Sequence, residues 1–203
     1  HPTRDDFDEP VLAYEWNFLR TPREQFWSLS ERPGHLTLQL RPQRLSELAN
    51  PSLVGLRQQH IHFVAQAAIE FTPQNRHECA GLALLQNNNF HFRFVITQGD
   101  ESSVIRLIKR AQGEEEVLFQ QTIRPGLFYL KVEGHEQDYS FYAATEPDEW
   151  HPIVEVVDGR ILSTPVAGGF VGCYIGLYAS SNGQPSTNRA YFDWFDYLGL
   201  DED

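Results

Sequence analysis

The chain has 203 residues, 41% of them hydrophobic and 13% aromatic, and a net charge of −12. That much apolar material can build a sizeable core, which excludes a disordered polymer. The acidity argues against nucleic acid and anionic membranes as partners, since both need Lys and Arg to displace counterions, and no apolar run is long enough to span a bilayer as a helix.

In chain order, the dominant pattern is alternation with period two, broken by turn residues at roughly 8–12-residue spacing. His35 to Leu40 alternates Leu36, Leu38 and Leu40 with polar residues, and Ile61 to Phe71 sets Phe63, Ala65, Ala67, Ile69 and Phe71 on one face against Gln66 and Glu70. Cys79–Gln86 is a short apolar strand. Asn87-Asn88-Asn89 then turns the chain into Phe90, Phe92 and Phe94. Further strands are predicted at Val104–Lys109, Glu116–Gln121, Leu127–Val132, Tyr139–Ala143, Ile153–Val157, Gly172–Ala179 and Ala190–Tyr197. The separators carry turn chemistry: Gln112-Gly113, Pro125-Gly126, Glu133-Gly134, Asp158-Gly159 and Asn182-Gly183. Leu45–Leu48 allows one helical turn before Asn50-Pro51, and no amphipathic helix is legible. About a dozen strands without helices predict an all-β, two-sheet antiparallel sandwich. No linker or composition shift divides residues 1–203, so one domain is expected. The last strand carries aromatics on both faces and is expected to be covered on both.

Cys79 and Cys173 are too few for a disulfide scaffold and sit in apolar strands, so buried free thiols and a reducing, cytoplasmic setting are expected. Methionine is absent even from position 1, so His1 is expected to be a cut site.

One ordered set of motifs runs through the chain. It comprises Asp5-Asp6-Phe7-Asp8, Trp16-Asn17-Phe18-Leu19-Arg20, Trp27-Ser28-Leu29 and Arg32-Pro33-Gly34. It continues with Arg57-Gln58-Gln59-His60, Glu78-Cys79-Ala80-Gly81-Leu82, Gly169-Phe170-Val171-Gly172 and Phe192-Asp193-Trp194-Phe195. The set resembles the C-terminal concanavalin A-like jelly-roll domain of bacterial glycoside hydrolase family 43 β-xylosidases. The resemblance implies a bacterial enzyme, a homo-oligomer at full length, in which a five-bladed β-propeller precedes this segment and carries the catalytic carboxylates. The sandwich would pack on the propeller and help shape a pocket that releases terminal xylose from xylo-oligosaccharides, or arabinofuranose in some relatives. It also implies that Phe170 is carried to the substrate pocket by a sandwich loop. The alternative for Phe170 is a core ring that begins the next strand, and the alternative for the whole chain is an independent xylan-binding module or lectin.

The residues themselves carry little catalytic chemistry. Glycoside hydrolysis needs two carboxyls flanking the bond. Concanavalin-like glycanases arrange them as Glu-x-Asp-x-x-Glu, whereas here Glu136-Gln137-Asp138 is followed by Phe141 at the last acid position. The chain is therefore expected not to be an enzyme on its own. Glu114-Glu115-Glu116 reads as a solvated turn. His60 and His62 read as one polar strand face. Arg57, Gln58, Gln59 and His60 form a polar cluster that either is solvated, lines a sugar groove or docks on a partner domain; Arg57, Gln59 and His60 are its candidate residues. No cofactor is required. In the concanavalin-like fold that the chain resembles, a structural calcium can sit between Asp6 and Asp193, with a metal-free hydrogen-bonding role for Asp193 as the alternative. A charge in an aromatic strand needs a partner, so loss of Asp193 is expected to cost more stability than loss of Glu115.

Overall fold

Alternating apolar residues with turn-forming separators do build two stacked antiparallel sheets. The computed structural model describes residues 3–163 and 173–201. The strands are β1 (Thr3–Asp5), β2 (Asn17–Phe18), β3 (Trp27–Ser28), β4 (Leu36–Gln39), β5 (Ser52–Arg57), β6 (His62–Phe71), β7 (Cys79–Asn87) and β8 (Phe90–Gln98). They continue as β9 (Ser103–Ala111), β10 (Glu114–Thr122), β11 (Gly126–His135), β12 (Asp138–Ala144), β13 (His151–Asp158), β14 (Tyr174–Ser180) and β15 (Arg189–Gly199). One sheet runs β13-β12-β11-β6-β15-β4-β3, with β1 also paired to β15; the other runs β10-β9-β8-β7-β14-β5-β2.

The facing surfaces interdigitate into one core. Phe63, Ala65, Ala67 and Ile69 of β6 are buried as the alternation predicts, while Gln66 and Glu70 are only half-buried on the opposite face. Phe141 is fully buried and joins the sheets through Phe92 and Phe94, with ring centroids 5.9 and 5.3 Å away.

The β15 strand keeps its two-faced aromatic character through a bulge. Phe192 opposes Ile69 and Trp194 opposes Ala68, which leaves Asp193 without a partner in the ladder. That extra residue reverses the parity of the strand. Ala190 and Phe192 point inward before it, and Phe195 and Tyr197 after it. Tyr191 and Trp194 therefore both lie outside. They are covered there by Arg32 and Arg4, whose guanidinium carbons stand 4.7 and 4.3 Å from the ring centroids, and not by another layer of strands.

The sequence pattern missed β1, β2, β3 and β5. The first three are too short to show a period. β5 is buried from Ser52 to Leu56 because both its faces are covered, so it has no polar alternation, and its Gly55 lies opposite Gly176 of β14. At Leu45–Leu48 the chain makes one hydrogen-bonded turn, Glu47 N–H donating to the Arg44 carbonyl at 3.2 Å, and no helix. Leu45 plugs the outer face of the seven-stranded sheet together with Leu53, Cys79, Ala83, Leu85, Val95 and Tyr178. The helical element among the described residues is a short 3-10 turn, Arg160–Leu162, that no period announced. Cys79 and Cys173 are both free and buried, and burial pushes the Cys173 thiol up to about 12.

The same outer face carries charge that sequence reading placed in water. Arg93, with only 10% of its side chain exposed, donates to Glu115 at 2.8 Å, and Arg110 donates to the same oxygen at 3.3 Å. Asp193 is half-exposed, and its nearest ionic neighbour is His35 at 3.8 Å. These contacts favour the opposite order: Glu115→Ala should cost about 1–3 kcal/mol, because it leaves a buried guanidinium donor unpaired, and Asp193→Ala should cost less. Urea unfolding of the two variants measures the difference.

His91, fully buried two residues before Arg93 on the same face of β8, gives a pH signature. Burial, reinforced by Arg93, holds its imidazole down to about 3 from the ordinary 6.5. Below pH 6.5 the unfolded chain takes up a proton that native His91 refuses, so this residue's contribution makes stability fall as pH drops from about 6.5 toward 3. The slope from one such proton is about 1.4 kcal/mol per pH unit, and thermal melts of His91→Gln across this range should show it removed.

Candidate functional site

Antiparallel connection collects many turns at one end of the sandwich. The β5–β6 connection, the starts of β12 and β14 and the end of β15 meet there in a single rim. Arg57 is the last residue of β5 and is exposed, with its guanidinium 5.7 Å from the Tyr174 ring centroid and 3.5 Å from the Tyr174 hydroxyl. Gln58 is woven into the backbone around it. Its amide N–H donates to the Cys173 carbonyl at 2.8 Å, its side-chain amide donates to the His60 carbonyl at 2.9 Å, and its side-chain oxygen accepts from the Tyr139 hydroxyl at 3.4 Å.

The anchor of this loop is Tyr197. Its hydroxyl accepts the Gln59 amide N–H at 3.2 Å and lies 3.1 Å from His60 Nδ1, with the two rings 5.7 Å apart. The hydroxyl can donate its own hydrogen to Nδ1 when the imidazole proton sits on Nε2. Burial pushes the Tyr197 phenol up, so it stays a neutral donor at physiological pH. Gly199 leaves room for the His60 ring, since a Cβ there would run into His60 as placed. The Asp201 carboxylate accepts the N–H groups of Ile61 and His62 at 2.8 and 3.0 Å, and Leu200 N–H donates to the His62 carbonyl at 2.7 Å. Ile61 and Leu200, held in place by these bonds, are 60% and 54% exposed. The signal that would have found this anchor is the inward parity of Tyr197, which the bulge at Asp193 hides from a simple period-two count.

The rim thus brings Arg57, Gln59 and His60 together. His60 and His62 part company: His60 lies on Tyr197, while His62 meets His135 of β11 edge-on at 4.3 Å. Phe170 lies outside the described residues. Cys173, the first described residue after it, is tied to the rim by Gln58.

Asp6 and Asp193 are engaged by separate side-chain partners. Asp6 is committed to Arg4, which donates to one of its oxygens from Nε at 3.1 Å and from the terminal nitrogen at 3.0 Å. Asp193 faces His35, and no group of three or more His, Cys, Asp or Glu gathers to hold a metal among the described residues. The neighbouring Asp5 does the local work by accepting from the Trp16 indole at 2.7 Å and from the Phe7 amide at 2.8 Å. Glu136 and Asp138 are exposed at the β11–β12 hairpin, and the third acid position of the glycanase pattern, Phe141, is in the core. That three-acid constellation is therefore not formed.

Comparison with known proteins matches residues 4–198 to the family described as the β-xylosidase C-terminal concanavalin A-like domain. The chain is 34% identical over 201 residues to a non-reducing end α-L-arabinofuranosidase of Bacteroides ovatus, covering 98% of this chain and 38% of that protein. It is also 34% identical to a xylosidase/arabinosidase of Butyrivibrio fibrisolvens, covering 93% of this chain and 36% of the relative. Among solved structures, a family 43 protein from the Bacteroides ovatus xyloglucan locus superposes with a TM-score of 0.92 at 33% identity, over 98% of this chain and 40% of that one. A xylan β-1,4-xylosidase from Bacillus halodurans superposes with a TM-score of 0.88 at 29% identity, over 96% and 38%. The chain thus spans well under half the length of these relatives.

Tyr197→Phe removes the hydroxyl that joins Gln59 to His60. It should cost about 1 kcal/mol of stability, with amide hydrogen exchange accelerated at Gln59 and left unchanged in β8.

Proposed function

This chain belongs to the β-xylosidase C-terminal concanavalin A-like domains of glycoside hydrolase family 43, and from that premise we propose that it is a non-catalytic module whose rim docks on the catalytic domain of the same polypeptide. The reaction assigned to the whole enzyme is release of a terminal xylose or arabinofuranose from an oligosaccharide. The acid and base belong to the preceding propeller, and the sandwich acts by positioning and by excluding water. Phe170 is the residue proposed to reach the substrate pocket, carried by the segment that ends at Cys173 on the rim.

The observation that carries this reading is the pairing of exposed apolar side chains with an ordered backbone. Ile61 and Leu200 project from a loop whose amides are held by Tyr197 and Asp201, with Arg57 and Gln59 beside them. Apolar residues fixed in place and ringed by polar groups that include Arg are what a stable interface requires. The proposed contact accounts for an arrangement that a solvated loop would not need.

In the full-length enzyme, the double variant Ile61→Asp, Leu200→Asp should lower kcat/KM on xylobiose by about tenfold or more, on the order of 1.4 kcal/mol, and split a joint thermal transition into two. The same changes in the chain alone should leave its melting temperature within a few degrees. Unaltered kinetics in the double variant would show that the rim does not dock.

A further inference from the structure

The outer face of the eight-stranded sheet has no part in the rim, and its chemistry is of another kind. One row crosses it through directly opposed residues: Tyr142, Lys131, Gln66, Asp196 and Arg4 on β12, β11, β6, β15 and β1. The next row sets Tyr129 and Trp194 on either side of Ala68, with the two rings 6.1 Å apart. Trp150, just before β13, closes over the near end, so that the Lys131 ammonium lies 4.4 Å from the Tyr142 ring centroid and 4.8 Å from that of Trp150. From Tyr142 to Asp196 the row covers three strand spacings, roughly 14 Å.

We propose that this face is a non-catalytic binding surface for a neutral oligosaccharide chain. Four half-exposed aromatic rings, Tyr129, Tyr142, Trp150 and Trp194, border these two rows, fixed by packing and by cations, so little side-chain freedom is lost when a ligand arrives. Between them lie hydroxyl-binding groups, notably the Gln66 amide 3.3 Å from the Asp196 carboxylate, whose remaining donors and acceptors suit vicinal hydroxyls. Sugar rings present apolar C–H faces to aromatic rings and hydroxyls at their edges, and both features find partners here. The cations exclude a polyanion: Lys131 is paired with Glu133 at 3.1 Å, Arg4 with Asp6 at 3.0 Å and Arg32 with Glu70 at 2.7 Å.

A protein partner is less well matched. Leu127 and Leu198, 43% and 38% exposed, stand only at the two margins of these rows, Ile61 and Leu200 lie at the rim, and the centre of the face is aromatic and polar. The face itself is independent of the proposed function. The choice of xylose as the repeating unit rests on that reading.

The test is isothermal titration calorimetry of this chain with xylohexaose, cellohexaose and heparin oligosaccharide. Saturable binding of xylohexaose is expected, with none of heparin. Trp194→Ala and the pair Gln66→Ala, Asp196→Asn should each weaken it by about tenfold or more, while the rim variant Arg57→Ala leaves it unchanged. The polar pair keeps the test valid if Trp194→Ala fails to fold. Binding of cellohexaose but not xylohexaose would keep the face and displace the xylose reading. No binding of either hexasaccharide, or binding lost in Arg57→Ala and retained in the face variants, overturns the proposal. So does a full-length Trp194→Ala enzyme whose two domains unfold separately, which would assign the face to domain docking.

Discussion

The structure hinges on a single extra residue in β15. This strand pairs with β1, β4 and β6 and so ties most of the eight-stranded sheet together. Without the bulge at Asp193, strict alternation from Phe192 would turn Phe195 and Tyr197 outward and Trp194 inward. With it, Phe192 and Phe195 both fill the core, Tyr197 reaches the rim from within, and Tyr191 and Trp194 stand on the outer face. Core, rim and outer face are therefore three consequences of one register shift. The half-exposed Asp193 carboxylate is compatible with that role, since the unpaired residue of a bulge needs solvent more than a buried partner.

The rim and the outer face divide the chemistry of the surface between them. The rim is built of backbone hydrogen bonds that terminate on two side chains, the Tyr197 hydroxyl and the Asp201 carboxylate, and it displays apolar groups. The outer face is built of rings braced by neutralised cations, and it displays hydrogen-bonding groups. The first arrangement suits a permanent protein contact and the second a hydroxylated ligand that comes and goes. Both arrangements suit binding and positioning.

Much of the fold was legible because period two is read residue by residue. The phase of β6 could be assigned from Phe63 to Phe71, and Phe141 could be recognised as a break in an acid motif before its burial was known. The illegible parts have physical causes. β5 is covered on both faces and so lost its alternation, and the packing of Leu45 is hidden because its partner, the Tyr178 face, is distant in sequence. Glu115 reads as solvated in the sequence because the buried guanidinium it neutralises lies 22 residues earlier, on another strand. Of the candidate site, Arg57, Gln59 and His60 stood out as polar residues within strand-like sequence. Their anchor, Tyr197, did not, because it contacts them only through tertiary folding across an interval of more than a hundred residues.

The most direct test of the rim's role compares amide hydrogen exchange of this chain alone with that of the full-length enzyme. Docking through the rim predicts added protection in the full-length protein at residues 57–62 and 197–201, with little change at the far-end turn between β8 and β9. Equal exchange at the rim in both, with protection gained elsewhere on the sandwich, would contradict the account.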